Sequence, residues 1–93
     1  MTEFVVELYV SRDSAGAIEE GAERLRGAAQ EMRDAGIHVV YLRRIFVPED
    51  ETCLLLFEAD SVDTVREAAR RAGVAFERVT EAVEGPNAEE TRP

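Results

Sequence analysis

The sequence predicts an α+β domain of the ferredoxin-like type, with the element order βαββαβ. Its 93 residues suffice for one hydrophobic core. Strand-like and helix-like periodicities follow one another along the chain in that order. The short connection at residues 48–51 requires an antiparallel hairpin between the second and third strands. Right-handed crossovers then place both helices on one face of a four-stranded antiparallel sheet of order 4-1-3-2.

The first half of the chain contains the first strand and the longer helix. "EFVVELYV" alternates in part, which predicts a strand with Glu7 and Tyr9 on one side. In "AIEEGAERLRGAAQEMRDAG", apolar residues recur every three or four positions, which predicts an amphipathic helix that ends at Gly36. The apolar stripe of this helix consists of Ile18, Ala22, Leu25, Ala29 and Met32.

The second half contains three strands and a helix. "IHVVYLRRIFV" and "TCLLLFEA" are the second and third strands, and the almost continuous apolar character of the latter places it centrally. Asp60 or Ser61 caps the helix "DSVDTVREAARRAG", which ends at Gly73. The apolar stripe of this helix consists of Val62, Val65, Ala69 and Ala72. "VAFERVTEAV" is the last strand, with Phe76, Val79 and Val83 available for burial.

Domain organisation follows from these elements. Residues 1–83 form a single domain, and residues 84–93 are interpreted as a flexible acidic C-terminal tail because they lack large apolar side chains. The longest apolar run, at residues 54–57, is far below the roughly 20 residues of a membrane span. The N-terminus has no basic region typical of a secretory signal. We therefore predict a cytoplasmic protein without a membrane partner.

Charge and composition exclude several classes of function. The net charge is −9, so binding to a phosphate backbone is disfavoured. All eleven basic residues are arginine, which excludes Schiff-base lysine chemistry. A single cysteine excludes an internal disulfide and any CxxC cluster. Nucleotide-binding, nucleophile-elbow and HExxH motifs are absent.

The stretch "FVPEDETCLLLFEA" contains a candidate metal site, with Glu49, Asp50, Glu51 and Cys53 as ligands and His38 to complete the set. Nickel or zinc sites use several His or Cys ligands, and this chain has one of each. The favoured interpretation is structural: the acids form an exposed hairpin tip, Cys53 is a buried hydrophobe and His38 is a polar residue at a strand end. We assign no metal ligand and no cofactor from these residues.

The sheet face opposite the helices is the predicted place of assembly and binding. The second strand is mostly apolar on both sides, which indicates that something covers the second face, and a second copy of the chain is the simplest cover. Glu7, Tyr9, Tyr41, Arg43 and Glu58 form a candidate ligand-binding cluster if they share that face, in which Arg43 would neutralise Glu7 or orient an acidic ligand and the two tyrosines would stack and donate hydrogen bonds. The alternative is cross-strand ion pairing and dimer packing.

"FVVELYV" and the run from "YLRRIFV" to "ERVTEAV" resemble a small bacterial family of unknown function. The resemblance covers residues 4–83, and its most specific part is the run from Val47 through Gly73, which comprises the turn, the Cys-containing strand that ends in "EA" and the helix segment "REAARRAG". One member is described as nickel-responsive and nickel-binding, so the resemblance implies a dimeric ferredoxin-like fold and nickel as a cofactor. Many members have a histidine in the second helix at the position of Ala68 here, so the most plausible soft ligand for nickel is missing in this chain.

The sequence does not decide between three functions. The first is a small dimeric, non-enzymatic module that binds a small ligand or a metal ion on the open sheet face. The second is a cofactor-free enzyme, similar to dimeric ferredoxin-like monooxygenases and cyclases, in which Glu7, Tyr9, Tyr41 and Arg43 act in acid–base roles. The third is a structural or interaction subunit. No catalytic residue is assigned.

Overall fold

Four strands and two helices follow one another along the chain in the predicted order βαββαβ. The computed structural model describes residues 2–14 and 16–83, so the predicted tail at residues 84–93 lies outside the described residues. The elements are β1 (Thr2–Tyr9), α1 (Gly16–Asp34), β2 (Val39–Val47), β3 (Thr52–Ala59), α2 (Val62–Ala72) and β4 (Arg78–Ala82). Short 3₁₀ turns at Arg12–Ser14 and Pro48–Asp50 connect β1 to α1 and β2 to β3.

The strands form one antiparallel sheet of order β2-β3-β1-β4, which is the predicted ferredoxin-like order. The central pair, β1 and β3, is in register from Thr2 opposite Ala59 to Tyr9 opposite Thr52. β2 and β4 occupy the edges, paired with β3 and β1. The prediction of the fold class is confirmed.

The hydrophobic core lies between the two helices and one face of the sheet. Every residue of the predicted α1 stripe is buried. The largest fully buried side chains include Phe57, Leu25 and Met32, and burying one such side chain contributes about 1.5–3 kcal/mol. On α2, Ala68 joins Val65, Ala69 and Ala72 in the core, while Val62 is half-buried. Small alanines on α2 allow this helix to approach the sheet and α1 closely.

The helix ends use the predicted chemistry. Ser61 caps α2, since its hydroxyl accepts a hydrogen bond from the backbone N–H of Thr64 at 3.3 Å. Gly73 ends α2 with φ of 68°, and Gly36 follows α1 with φ of 88°. Both angles lie in the left-handed region that glycine adopts without strain. In the described ranges, neither helix has the length and apolarity needed to cross a membrane.

The last strand is shorter than predicted. β4 begins at Arg78. Val74, two residues after α2, still forms part of the helix cap, because its N–H donates to the carbonyl of Ala69 at 3.0 Å. Val74 and Val79 are buried and Phe76 is partly buried against the core. Val83 is 83% exposed in the single chain, so it does not join this core.

We expect Phe57→Ala to lower the free energy of unfolding by about 3–5 kcal/mol, because its ring is fully buried in the core. Phe76→Ala is the matched control, since Phe76 lies at the margin of the core and its truncation removes fewer contacts. Urea unfolding followed by circular dichroism measures both. Equal losses would contradict the placement of the core.

Candidate functional site

The side of the sheet that faces away from the helices is here called the open face. The alternation of buried and accessible residues in β1 and β3, with the strand registers, defines its members. They are Glu3, Val5, Glu7 and Tyr9 on β1; Val40, Arg43, Ile45 and Val47 on β2; Thr52, Leu54, Leu56 and Glu58 on β3; and Arg78, Thr80 and Ala82 on β4. Among the described residues, no element packs over this face.

A register shift in β2 decides which of the predicted site residues reach the open face. Tyr41 pairs with Phe57 and Arg43 pairs with Leu56, so Leu42 is an extra residue between them. Phe57 and Leu56 point to opposite sides of β3. Tyr41 and Arg43 therefore lie on opposite faces, and the prediction that they share one face is wrong, because strict alternation was assumed through the bulge.

Tyr41 belongs to the helix side of the sheet. Its ring meets that of Phe57 edge-on, with centroids 5.5 Å apart, and the guanidinium of Arg26 on α1 lies 5.4 Å from the Tyr41 ring centroid. Partial burial raises the pKa of Tyr41. These contacts give Tyr41 a packing role, and the predicted stacking on Tyr9 is wrong because the two rings are on different faces.

Glu7 is on the open face, but its partner is not the predicted one. The Nε of Arg78 on β4 donates to the Oε2 of Glu7 at 2.6 Å. Arg43 lies on β2, with β3 between it and β1. The predicted neutralisation of Glu7 by Arg43 is therefore wrong, since a directly opposite arginine already forms the cross-strand pair.

Tyr9, at the end of β1, connects to the β2–β3 turn. Its hydroxyl donates to Oε1 of Glu51 at 3.3 Å, and the backbone N–H of Arg12 donates to Oε2 of Glu51 at 3.0 Å. The Arg12 N–H lowers the pKa of Glu51, and the neighbouring Glu51 carboxylate raises the pKa of Tyr9. Glu49 and Asp50 are exposed as predicted for a hairpin tip, whereas Glu51 joins the tip to the loop after β1.

Glu58 lies on the open face beside His38. The Nε2 of His38 is 3.2 Å from the Oε2 of Glu58. His38 precedes β2 and both side chains are about one-third exposed. Glu3 is directly opposite Glu58 on the neighbouring strand. Two carboxylates in such a pair repel each other, and of the two only Glu58 has a side-chain hydrogen-bond partner, His38, among the described residues.

The donor set does not fit nickel. No cluster of three or more His, Cys, Asp or Glu side chains suited to a metal ion occurs in residues 2–14 and 16–83. Cys53 is fully buried, as predicted, and burial raises its thiol pKa, which disfavours the thiolate that binds metal. Ala68 is also fully buried, so the position that holds histidine in the resembling family faces the core here.

The open face contains a depression of about 430 Å³ that crosses the width of the sheet. Its lining residues are Glu3, Leu42, Arg43, Leu56, Ala82 and Val83. Four of these are apolar and two carry opposite charges. Of the five residues predicted for the site, Arg43 alone lines this depression. Leu42 enters it because of the bulge, for which the sequence carries no clear signal.

Apolar side chains are concentrated on one half of the open face. β2 and β3 contribute Val40, Ile45, Val47, Leu54 and Leu56, and with Leu42 from the bulge these residues form what we call the apolar half. Leu42 and Ile45 are 44% and 41% exposed. On β1 and β4, Glu3, Glu7, Arg78 and Thr80 predominate, so the face is polar along its other half.

Comparison with known proteins supports the fold and gives no function. No protein-family model and no curated protein matches the chain. The crystal structure of SCO4226 from Streptomyces coelicolor A3(2) is similar, with a TM-score of 0.74 over 90% of this chain and 99% of that one. The two sequences are 14% identical, so the likeness concerns the fold alone.

We expect Glu51→Gln to lower the melting temperature at neutral pH. The folded-state pKa of Glu51 is lowered, so its stabilisation is present above the unfolded pKa of about 4.3 and is lost as the pH falls through the lower folded value. The deficit should therefore shrink on acidification, as measured by thermal unfolding between neutral pH and pH ~3. Glu49→Gln in the same turn is the control and should have little effect at any pH. A pH-independent deficit for Glu51→Gln would contradict the role of the carboxylate charge.

Proposed function

We propose that this protein is a homodimeric, non-enzymatic binding module whose open faces associate and hold a small molecule in the depression. The observation that carries the proposal is the apolar half of the open face. Leu42 and Ile45 are more than 40% exposed there, next to half-buried Leu54 and Leu56. Contiguous apolar surface of this kind is typical of an interaction site.

A second copy of the chain is the partner that we propose for this surface. In a two-fold dimer, one patch contacts its own equivalent, so an apolar half can cover an apolar half without a second gene product. A domain of this size has a modest core, and burying more apolar surface at about 25 cal/mol per Å² would stabilise it. The net charge of −9 opposes association, so we expect the dimer to strengthen as salt screens the repulsion.

The depression supports the binding part of the proposal. Its volume of about 430 Å³ is within the range of small-molecule sites, and its walls are mostly apolar with two charged groups. Because the open face forms one wall only, a second copy would close the depression from above. The partial enclosure seen in one chain then becomes a cavity shared by two.

The fold is also compatible with kinship to the small bacterial family that the sequence resembles. Nickel binding is not part of the proposal, because the described donors do not form a nickel site. For the enzyme alternative, burial near apolar walls would raise the pKa of a carboxylate and suit it to act as an acid or base at neutral pH. No charged or polar residue is buried within residues 2–14 and 16–83 of the single chain, so we assign no catalytic role.

We expect the wild-type chain to have twice its 10.3 kDa mass by light scattering after size-exclusion chromatography, and Ile45→Glu to be a monomer. The introduced carboxylate would have to be buried in the apolar interface without a partner. Ile37→Glu is the matched control, since Ile37 is 37% exposed in the loop between α1 and β2, away from the open face.

Circular dichroism verifies that both variants are folded. A wild-type monomer at concentrations up to the millimolar range would overturn the proposed assembly. A dimer that Ile45→Glu leaves intact while Ile37→Glu dissociates it would place the interface elsewhere.

A further inference from the structure

The charged residues of the open face divide into paired and unpaired ones. Five are charged: Glu3, Glu7, Arg43, Glu58 and Arg78. Glu7 pairs with Arg78, and Glu58 pairs with His38. No described residue lies within ion-pair distance of Glu3 or Arg43. These two are the charges that line the depression.

The register places the two unpaired charges on opposite sides of β3. Arg43 on β2 is opposite Leu56 of β3, and Glu3 on β1 is opposite Glu58, two residues further along β3. Strand spacing of about 4.8 Å and a rise of about 3.4 Å per residue separate the two Cα atoms by roughly 12 Å. On β3, Leu56 and Glu58 lie between the strands that carry the two charges, and Leu56 lines the depression. Leu42 adjoins Arg43 on β2, and Ala82 of β4 is opposite Glu3.

Each charge has a reason to take a counter-charge from outside the described chain. Glu3 faces the like charge of Glu58 across the β1–β3 pair, and His38 contacts Glu58 only. A cation beside Glu3 would reduce this repulsion. Arg43 offers a planar guanidinium, which binds carboxylates and phosphates through two parallel hydrogen bonds.

We propose that the depression binds an elongated zwitterion, with a cationic amine at Glu3, an anionic carboxylate or phosphate at Arg43, and an aliphatic middle over Leu56. This ligand class rests on the proposed function, because the second copy would exclude water from the site and strengthen both ion pairs. A ligand with one amine and one carboxylate carries no net charge, so the −9 of the protein does not repel it.

The test titrates wild-type protein with 6-aminohexanoate and follows backbone amide shifts by NMR. Hexanoate and hexylamine each lack one charge, and free glycine has both charges on too short a span. We expect 6-aminohexanoate to bind with the lowest Kd, and each single-charge analogue to bind about tenfold more weakly. The largest shifts should be at Leu42 and Leu56.

Two variants connect each ligand charge to its residue. Arg43→Gln should bind 6-aminohexanoate no better than hexylamine, and Glu3→Gln no better than hexanoate, each with about a tenfold loss. Thr80→Ala, also on the open face but outside the lining, is the control and should bind like the wild type. Both charge variants are at accessible positions, so unfolding does not confound them.

The outcomes separate this inference from the proposed assembly. A dimer that does not bind 6-aminohexanoate, or binds it equally well after Arg43→Gln and Glu3→Gln, overturns the ligand class and leaves the dimer standing. A monomer that binds the zwitterion with the expected charge dependence overturns the assembly and supports the ligand class. A monomer without binding overturns both.

Discussion

Two helices can cover only one face of a four-stranded sheet, and this constraint governs the rest of the molecule. The core forms between the helices and the side chains that alternate inward from β1 and β3, such as Val6, Leu55 and Phe57. Their neighbours in sequence must point the other way. The fold does not require apolar residues on that second face, and a uniformly polar face would satisfy it. In this chain, half of the second face is apolar.

The bulge in β2 determines the chemistry of the open face. Before it, Val39 and Tyr41 pack toward the helices; after it, Arg44 and Phe46 do so, and Arg44 pairs with Glu19 of α1. The extra residue turns Arg43 outward over Leu56. One inserted residue thus moves an arginine to the side where it lines the depression, and keeps a tyrosine on the side where it supports the core.

Elements with strong periodicity were predictable from the sequence. The strand Thr52–Ala59 has the predicted bounds, and the α1 stripe from Ile18 to Met32 is buried throughout, because both patterns persist over many residues. The candidate site was less predictable, because it depends on which face a side chain occupies. Glu7 and Tyr9 were placed on the open face correctly by alternation along an uninterrupted strand, whereas Tyr41 lies on the opposite face from Arg43. The pairing of Glu7 with Arg78 depends on the strand register. The pairing of Tyr9 with Glu51 depends on a turn in which Glu51 has a φ of 49°.

The proposed dimer requires direct contact between two copies of the chain through the apolar half of the open face. An isotope-filtered NOE experiment on a mixture of labelled and unlabelled chains measures such contacts. We predict intermolecular NOEs from the methyl groups of Ile45, Leu54 and Leu56. Intermolecular NOEs confined to the outer faces of the helices, or none from any methyl group at millimolar concentration, would contradict it.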